Sequence, residues 1–164
     1  AYSEPGQGTT FTIYFPGHNQ AVDTQEKTAG PAPRSGTETV LVVEDDPSIL
    51  AVSREVLEQS GYTVLAAHSP SAAFQLAEDQ PGPIHLLLTD VVLSEMNGKV
   101  LWEELKQSNP DLKVLYMSGY TPDVIMHRGI LEKDVNFIQK PFSINALTEK
   151  VRQVLDTGQP DLKR

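Results

Sequence analysis

The sequence contains no cysteine, which excludes a disulfide framework and a thiolate metal site. Positive charge is also scarce: 13 Lys and Arg stand against 22 Asp and Glu, with a formal net charge of −9. Without a basic stripe, we expect no binding to nucleic acid. No apolar run approaches the roughly 18 residues of a membrane-spanning helix, and no signal-peptide pattern is present. We therefore expect a soluble segment that makes no membrane contact.

At 164 residues and 39% apolar content, the chain suits one domain of average size with additional segments. Residues 19–38 have almost no large apolar side chains and contain two prolines and two glycines, a composition typical of a flexible linker. The sequence therefore predicts an N-terminal segment at 1–18, a linker at 19–38, a domain at 39–157 and a tail at 158–164.

Within the domain, strand and helix signals alternate. Predicted strands cover residues 40–43, 62–67, 86–90, 113–117 and 135–138. Predicted helices begin near Pro47, Pro70 and Gly98, then at Pro122 (to about Leu131) and after Ser143. Five strands separated by helices indicate right-handed crossovers, and hence a doubly wound five-stranded parallel sheet in an α/β fold.

Polar side chains stand where the predicted strands end. In such folds, ligands bind at the carboxyl ends of the strands. These side chains are Glu44 and Asp45 after the first strand, Asp90 at the third, Ser118 at the fourth and Lys140 after the fifth. Clustered carboxylates repel one another unless a cation lies among them, and an all-oxygen donor set suits Mg²⁺. The sequence therefore predicts a magnesium site at this edge.

With these motifs in order, Thr39 to about Asp156 resembles the receiver domain of two-component response regulators. The resemblance implies a flavodoxin-like (βα)5 fold with strand order 2-1-3-4-5 and a cis bond between Lys140 and Pro141. It implies that Asp90 accepts a phosphoryl group from a phosphohistidine, with Lys140 contacting that group. The implied metal ligands are Glu44 (through water), Asp45, Asp90 and the backbone carbonyl of Val92.

The resemblance also implies a conformational switch. Ser118 would donate a hydrogen bond to the phosphoryl group and move toward it, and Phe137 would turn inward into the vacated space. Two departures bear on the chemistry. Ser94 stands where the family usually carries proline, and Val92 and Tyr120 occupy positions that tune hydrolysis. Because neither side chain positions water well, we expect a long-lived phosphoryl group.

The N-terminal residues Gly6, Gly8, Thr9, Thr10 and Phe11 resemble the Gly-x-Gly-Thr-Thr-Phe turn in the ATP-binding domain of sensor histidine kinases. An arbitrary glycine turn is the alternative. The resemblance implies a last strand of that domain within residues 1–16, alternating over Phe11–Phe15, and ATP binding by Gly6 and Gly8 only in an intact parent kinase. We expect no kinase catalytic core in this chain, so whether it is itself an enzyme stays open.

Together, the two resemblances imply the C-terminal part of a hybrid sensor histidine kinase. The expected partners are the phosphohistidine domain of that kinase and a histidine phosphotransfer domain. The expected location is cytoplasmic, with the parent kinase free to be membrane-anchored. Two other functions stay open. One is a Mg²⁺-dependent hydrolase of the haloacid dehalogenase type, whose Asp-x-Asp motif differs from Glu44-Asp45-Asp46. The other is an interaction module that is never phosphorylated.

Overall fold

The computed structural model describes residues 1–14, 36–120 and 135–157. The chain divides into two compact units, Ala1–Gly30 and Pro31–Arg164. Within the described ranges, none of the helices has the length and apolar character required to cross a bilayer.

The N-terminal unit contains a small antiparallel hairpin. Its strands are β1 (Tyr2–Glu4) and β2 (Gly8–Thr10). The backbone N–H of Gln7 donates to the carbonyl of Glu4 over 3.1 Å, and Gly6 has φ of 81°. Proline followed by a glycine with positive φ is the pattern of a type II turn, so Pro5 and Gly6 account for the reversal of the chain.

The predicted strand over Phe11–Phe15 is wrong over Phe11–Tyr14, the part that the structure describes. Phe11, Ile13 and Tyr14 are 75%, 72% and 89% exposed. A strand requires a partner that satisfies its backbone groups. Among residues 1–14, 36–120 and 135–157, none pairs with this segment. Alternation of apolar and polar residues therefore did not suffice to make a strand here.

The second unit contains a five-stranded parallel sheet. Its strands are β3 (Thr39–Val43), β4 (Thr63–Ala67), β5 (Leu86–Asp90), β6 (Lys113–Ser118) and β7 (Phe137–Gln139). The strand order is β4-β3-β5-β6-β7, with every neighbouring pair parallel. Both the predicted fold class and the predicted order 2-1-3-4-5 are confirmed. The last strand begins at Phe137 rather than at Val135, because its pairing with β6 starts at Tyr116 opposite Phe137.

Four helices connect or follow the strands in the described ranges. They are α1 (Pro47–Gln59), α2 (Pro70–Asp79), α3 (Gly98–Ser108) and α4 (Ile144–Asp156). Each begins after a side chain that accepts a hydrogen bond from a backbone N–H of the first turn, as N-cap residues do. These caps are Asp46, Ser69, Asn97 and Ser143. The helix predicted from Pro122 to about Leu131 lies outside the described residues.

Alternate residues of the central strands face opposite sides of the sheet, and each side has its own apolar core. Leu41 and Leu87 pack in one core, to which α2 and α3 contribute Ala73 and Leu101. The other core contains Leu88 with Leu57 of α1 and Leu147 of α4, among others. Helices on both faces explain why β3 and β5 read as continuous apolar runs in the sequence.

The second unit also includes residues that the sequence assigns to the linker. The N–H of Gly36 donates to the carbonyl of Ser60 over 3.1 Å, and the N–H of Thr63 donates to the carbonyl of Glu38 over 3.0 Å. The Glu38 carboxylate pairs with Arg152 of α4 at 2.8 Å. Residues 36 and 38 therefore contact the domain that follows them, while the boundary at Thr39 stays a prediction.

Candidate functional site

Three carboxylates meet at the carboxyl edge of the sheet. Glu44 and Asp45 follow β3, and Asp90 is the last residue of the neighbouring strand β5. One oxygen of each lies within 4.8 Å of the others. Glu44 is 1% exposed, whereas Asp45 is exposed and Asp90 is half-buried. The structure thus brings together the carboxylates that the sequence predicts as metal ligands.

Lys140 joins this cluster from the end of β7. Its Nζ donates to Oε2 of Glu44 over 2.5 Å and to Oδ2 of Asp90 over 2.7 Å. The Lys140 backbone is fixed as well, because its N–H donates to the carbonyl of Ser118 over 2.7 Å. The bond to Pro141 is cis, as the resemblance implies. The ammonium group therefore lies between a buried acid and the predicted phosphoacceptor.

At this cluster, burial and ion pairing shift the pKa values of Glu44 and Lys140 in opposite directions. Burial raises the pKa of Glu44, and the nearby Asp90 adds to that rise, although Lys140 works to lower it. For Lys140 burial acts to lower the pKa, but the hydrogen bonds from its ammonium to Asp90 and Glu44 outweigh burial and raise it. A nearby cation thus favours the ionised form of Glu44, against the effect of burial.

The donor set fits a hard divalent cation. Its ligand atoms are all carboxylate oxygens, and the set lies in an acidic pocket at a strand edge. Glu44, Asp45 and Asp90 are the residues that could hold such a cation.

The loop after Asp90 brings Val92 beside the phosphoacceptor. The N–H of Val92 donates to Oδ1 of Asp90 over 3.0 Å, and its side chain is 53% exposed. This hydrogen bond places the Val92 backbone next to the cluster. The role of the Val92 carbonyl as a metal ligand stays a prediction. Gly98 ends the loop so close to β5 that an added Cβ would lie 2.3 Å from the carbonyl oxygen of Asp90. Sequence reasoning used Gly98 only as a helix boundary.

The predicted switch residues lie on β6 and β7. Ser118 is 1% exposed, and its Oγ accepts a hydrogen bond from the N–H of Tyr120 over 3.1 Å. Phe137 is half-buried and packs against the core on the α2 and α3 side. Their concerted movement stays a prediction. Gly6 and Gly8 belong to the N-terminal hairpin, where both have positive φ, and their role in ATP binding also stays a prediction.

Comparison with known proteins decides the family. Residues 40–152 match the family model of the response regulator receiver domain. The chain belongs to this family. This membership supports a phosphoacceptor function in a two-component phosphorelay.

Two relatives and one solved structure illustrate the similarity. The sensor kinase CckA of Brucella abortus (strain 2308) is 34% identical over 162 residues, which is 94% of this chain and 17% of CckA. The response regulator receiver protein CpdR of the same organism is 28% identical, covering 71% of this chain and 95% of CpdR. The crystal structure of the receiver domain from hybrid histidine kinase CckA has TM-score 0.60 and 32% identity, covering 71% of this chain and 98% of that one.

The chain therefore spans about a sixth of the length of the kinase relative. Its alignment with that kinase covers more residues than the receiver match at 40–152, so the similarity extends outside the receiver domain.

Proposed function

We propose that Asp90 accepts a phosphoryl group from the phosphohistidine of a sensor histidine kinase. The observation that carries this proposal is the contact set of Asp90 at the sheet edge. Its Oδ2 lies 2.7 Å from the Lys140 ammonium, and its carboxylate lies beside Glu44 and Asp45. A carboxylate held between a cation and a dense acidic pocket is arranged for contact with a phosphoryl group and the metal that accompanies it.

The transfer is a substitution at phosphorus. A carboxylate oxygen of Asp90 forms a bond to phosphorus, the bond between phosphorus and the histidine nitrogen breaks, and the imidazole leaves with the electron pair. Lys140 stabilises the charge on the phosphoryl oxygens. The buried hydroxyl of Ser118 donates a hydrogen bond to one of those oxygens. Asp45, Asp90 and the Val92 carbonyl, with Glu44 acting through water, would hold Mg²⁺, which would supply positive charge to the same oxygens.

We further propose that the parent protein is a hybrid sensor histidine kinase. The similarity to the sensor kinase CckA beyond the receiver domain supports this, as does the glycine-rich hairpin containing Gly6 and Gly8. The partners would be the phosphohistidine domain of that kinase and a histidine phosphotransfer domain. A cytoplasmic location follows from this proposal, because a kinase domain draws on cytoplasmic ATP.

The test is intact mass after incubation with Mg²⁺ and acetyl phosphate. We expect one phosphoryl adduct on the wild type and none on Asp90→Asn. Asp79→Asn, an exposed acid at the end of α2, serves as the matched control and should take up the adduct normally. A folded wild type without adduct would favour an interaction module that is never phosphorylated. Continuous phosphate release would favour a hydrolase.

The phosphoryl group on Asp90 should persist for minutes or longer in Mg²⁺. The side chains of Val92 and Tyr120 are 53% and 51% exposed beside the acceptor loop and the β6 end, and Val92 offers no group that orients an attacking water. Decay of the adduct, followed by intact mass after removal of acetyl phosphate, measures the lifetime. Val92→Asn should shorten it, since an amide can hold a water molecule. A wild-type half-life of seconds would contradict this expectation.

A further inference from the structure

The loop between β5 and α3, residues 91–97, is attached to β6 at its first residue and closed on itself at its base. The N–H of Val91 donates to the carbonyl of Met117 over 2.9 Å, and the N–H of Gly98 donates to the carbonyl of Val91 over 3.0 Å. Leu93 is buried in the core on the α2 and α3 side, and Met96 packs against that core. These contacts fix the base of the loop and its apolar side chains, but they do not involve its exposed tip at residues 94 and 95.

Glu95 connects this tip to the first turn of α2. Its Oε2 accepts a hydrogen bond from the N–H of Ser71 over 3.0 Å and another from the Ser71 hydroxyl over 2.6 Å. The hydrogen bond from the Ser71 hydroxyl is the chief cause that lowers the pKa of Glu95. A carboxylate at a helix N-terminus is favoured because unpaired N–H groups and the helix dipole point toward it. Glu95 is therefore ionised and held at neutral pH.

We propose that Glu95 is a positioning residue for the phosphoacceptor loop. Residue 94 is serine, which leaves φ free, whereas a proline there would fix φ and stiffen the backbone. With serine there, the contact between Glu95 and Ser71 supplies the restraint at the tip. The proposal rests on the proposed function, because the loop matters through Val92, whose N–H binds Asp90 and whose carbonyl is the proposed metal ligand.

Glu95→Ala should weaken Mg²⁺ binding about threefold to tenfold, less than the loss of a direct partner of a metal ligand, since Glu95 acts through the backbone. An NMR titration of backbone amides with MgCl₂ measures this affinity without phosphorylation. Amide exchange should become faster in residues 92–97 but stay unchanged in the sheet. With acetyl phosphate, the Mg²⁺ concentration for half-maximal adduct formation should rise, while the rate at saturating Mg²⁺ should stay near that of the wild type.

Two variants separate positioning from a general effect of charge. Glu95→Gln retains an acceptor for Ser71 and should stay close to the wild type. Glu58→Ala removes an exposed acid that pairs with Arg54 on α1, and it should leave Mg²⁺ affinity unchanged.

Adding Ser94→Pro to Glu95→Ala should recover most of the lost affinity, because proline restrains the same tip. Unchanged Mg²⁺ affinity in Glu95→Ala would overturn the proposal, and so would a failure of Ser94→Pro to restore a lost affinity. A wild type that binds Mg²⁺ but takes up no phosphoryl group would instead contradict the proposed function.

Discussion

Lys140→Ala should lower the free energy of unfolding by roughly 3 kcal/mol near pH 8, the size typical for removing one partner of a buried ion pair. The reason is Glu44, which is 1% exposed and would lose the ammonium that lies 2.5 Å from its carboxylate. Asp90 would lose the same cation, so phosphoryl uptake should also fall sharply. Urea unfolding, followed by circular dichroism, measures the stability change.

The pH dependence of Lys140→Ala tests this cause. Burial already raises the pKa of Glu44 in the wild type, and removal of Lys140 takes away the main interaction that lowers it. An acid whose folded-state pKa exceeds its unfolded value stabilises the fold below the unfolded pKa, and this contribution is lost as pH rises through the folded pKa. The difference from the wild type should therefore be small near pH 5 and large near pH 8.

Two controls accompany this variant. Lys150→Ala removes a partly exposed lysine of α4 whose ammonium donates to the Gln153 side chain, and it should change stability by less than about 0.5 kcal/mol. Adding Glu44→Gln to Lys140→Ala removes the buried charge and should recover much of the lost stability. An equal loss at pH 5 and pH 8 would contradict the role of Glu44.

Gly98→Ala should destabilise the fold by about 1–3 kcal/mol, as overpacked sites do. The new Cβ would lie 2.3 Å from the carbonyl oxygen of Asp90 and 3.0 Å from Cγ2 of Thr89, so α3 and β5 must separate. Alanine has the higher helix propensity by about 1 kcal/mol, which works in the opposite direction. We expect the clash to dominate because the nearest atom belongs to the backbone of a buried strand.

The same displacement moves the residue that accepts the phosphoryl group. Adduct formation in Gly98→Ala should therefore be slower than in the wild type at equal Mg²⁺. Gly82→Ala is the matched control, because an added Cβ there would meet only the Gln80 side-chain nitrogen, at 3.8 Å. A Gly98→Ala protein as stable as the wild type would show that the helix propensity outweighs the contact.

Much of the fold could be predicted from the sequence because its signals are local. The structure contains the strands predicted from the apolar runs of β3 and β5, and it contains the predicted helix caps Asp46 and Ser143. The strands and helices also follow the predicted order in the described ranges. The site could be anticipated for a related reason: parallel strands place their carboxyl ends at one edge. The residue types that follow those strands then indicate the chemistry.

Predictions from short stretches of sequence failed where contacts with a distant segment determine the conformation. Alternation over Phe11–Tyr14 predicted a strand, but no described strand pairs with it. The polar composition around Glu38 did not indicate its ion pair with Arg152, which is distant in sequence. Nothing in the sequence near Glu95 indicated its role, because that role depends on a hydrogen bond from Ser71 in α2.

The sequence by itself determined the alternation of strands and helices, the family, and the set of residues at the strand ends. These follow from periodicity, capping and chain order, which act over a few residues. Only the tertiary structure decided how the site is held. Three contacts join segments that are separate in the sequence. They are the ion pairs of Lys140 with Glu44 and Asp90, the close approach of Gly98 to Asp90, and the hydrogen bonds between Ser71 and Glu95. Such contacts depend on how the helices pack on the sheet, which no short stretch of sequence specifies.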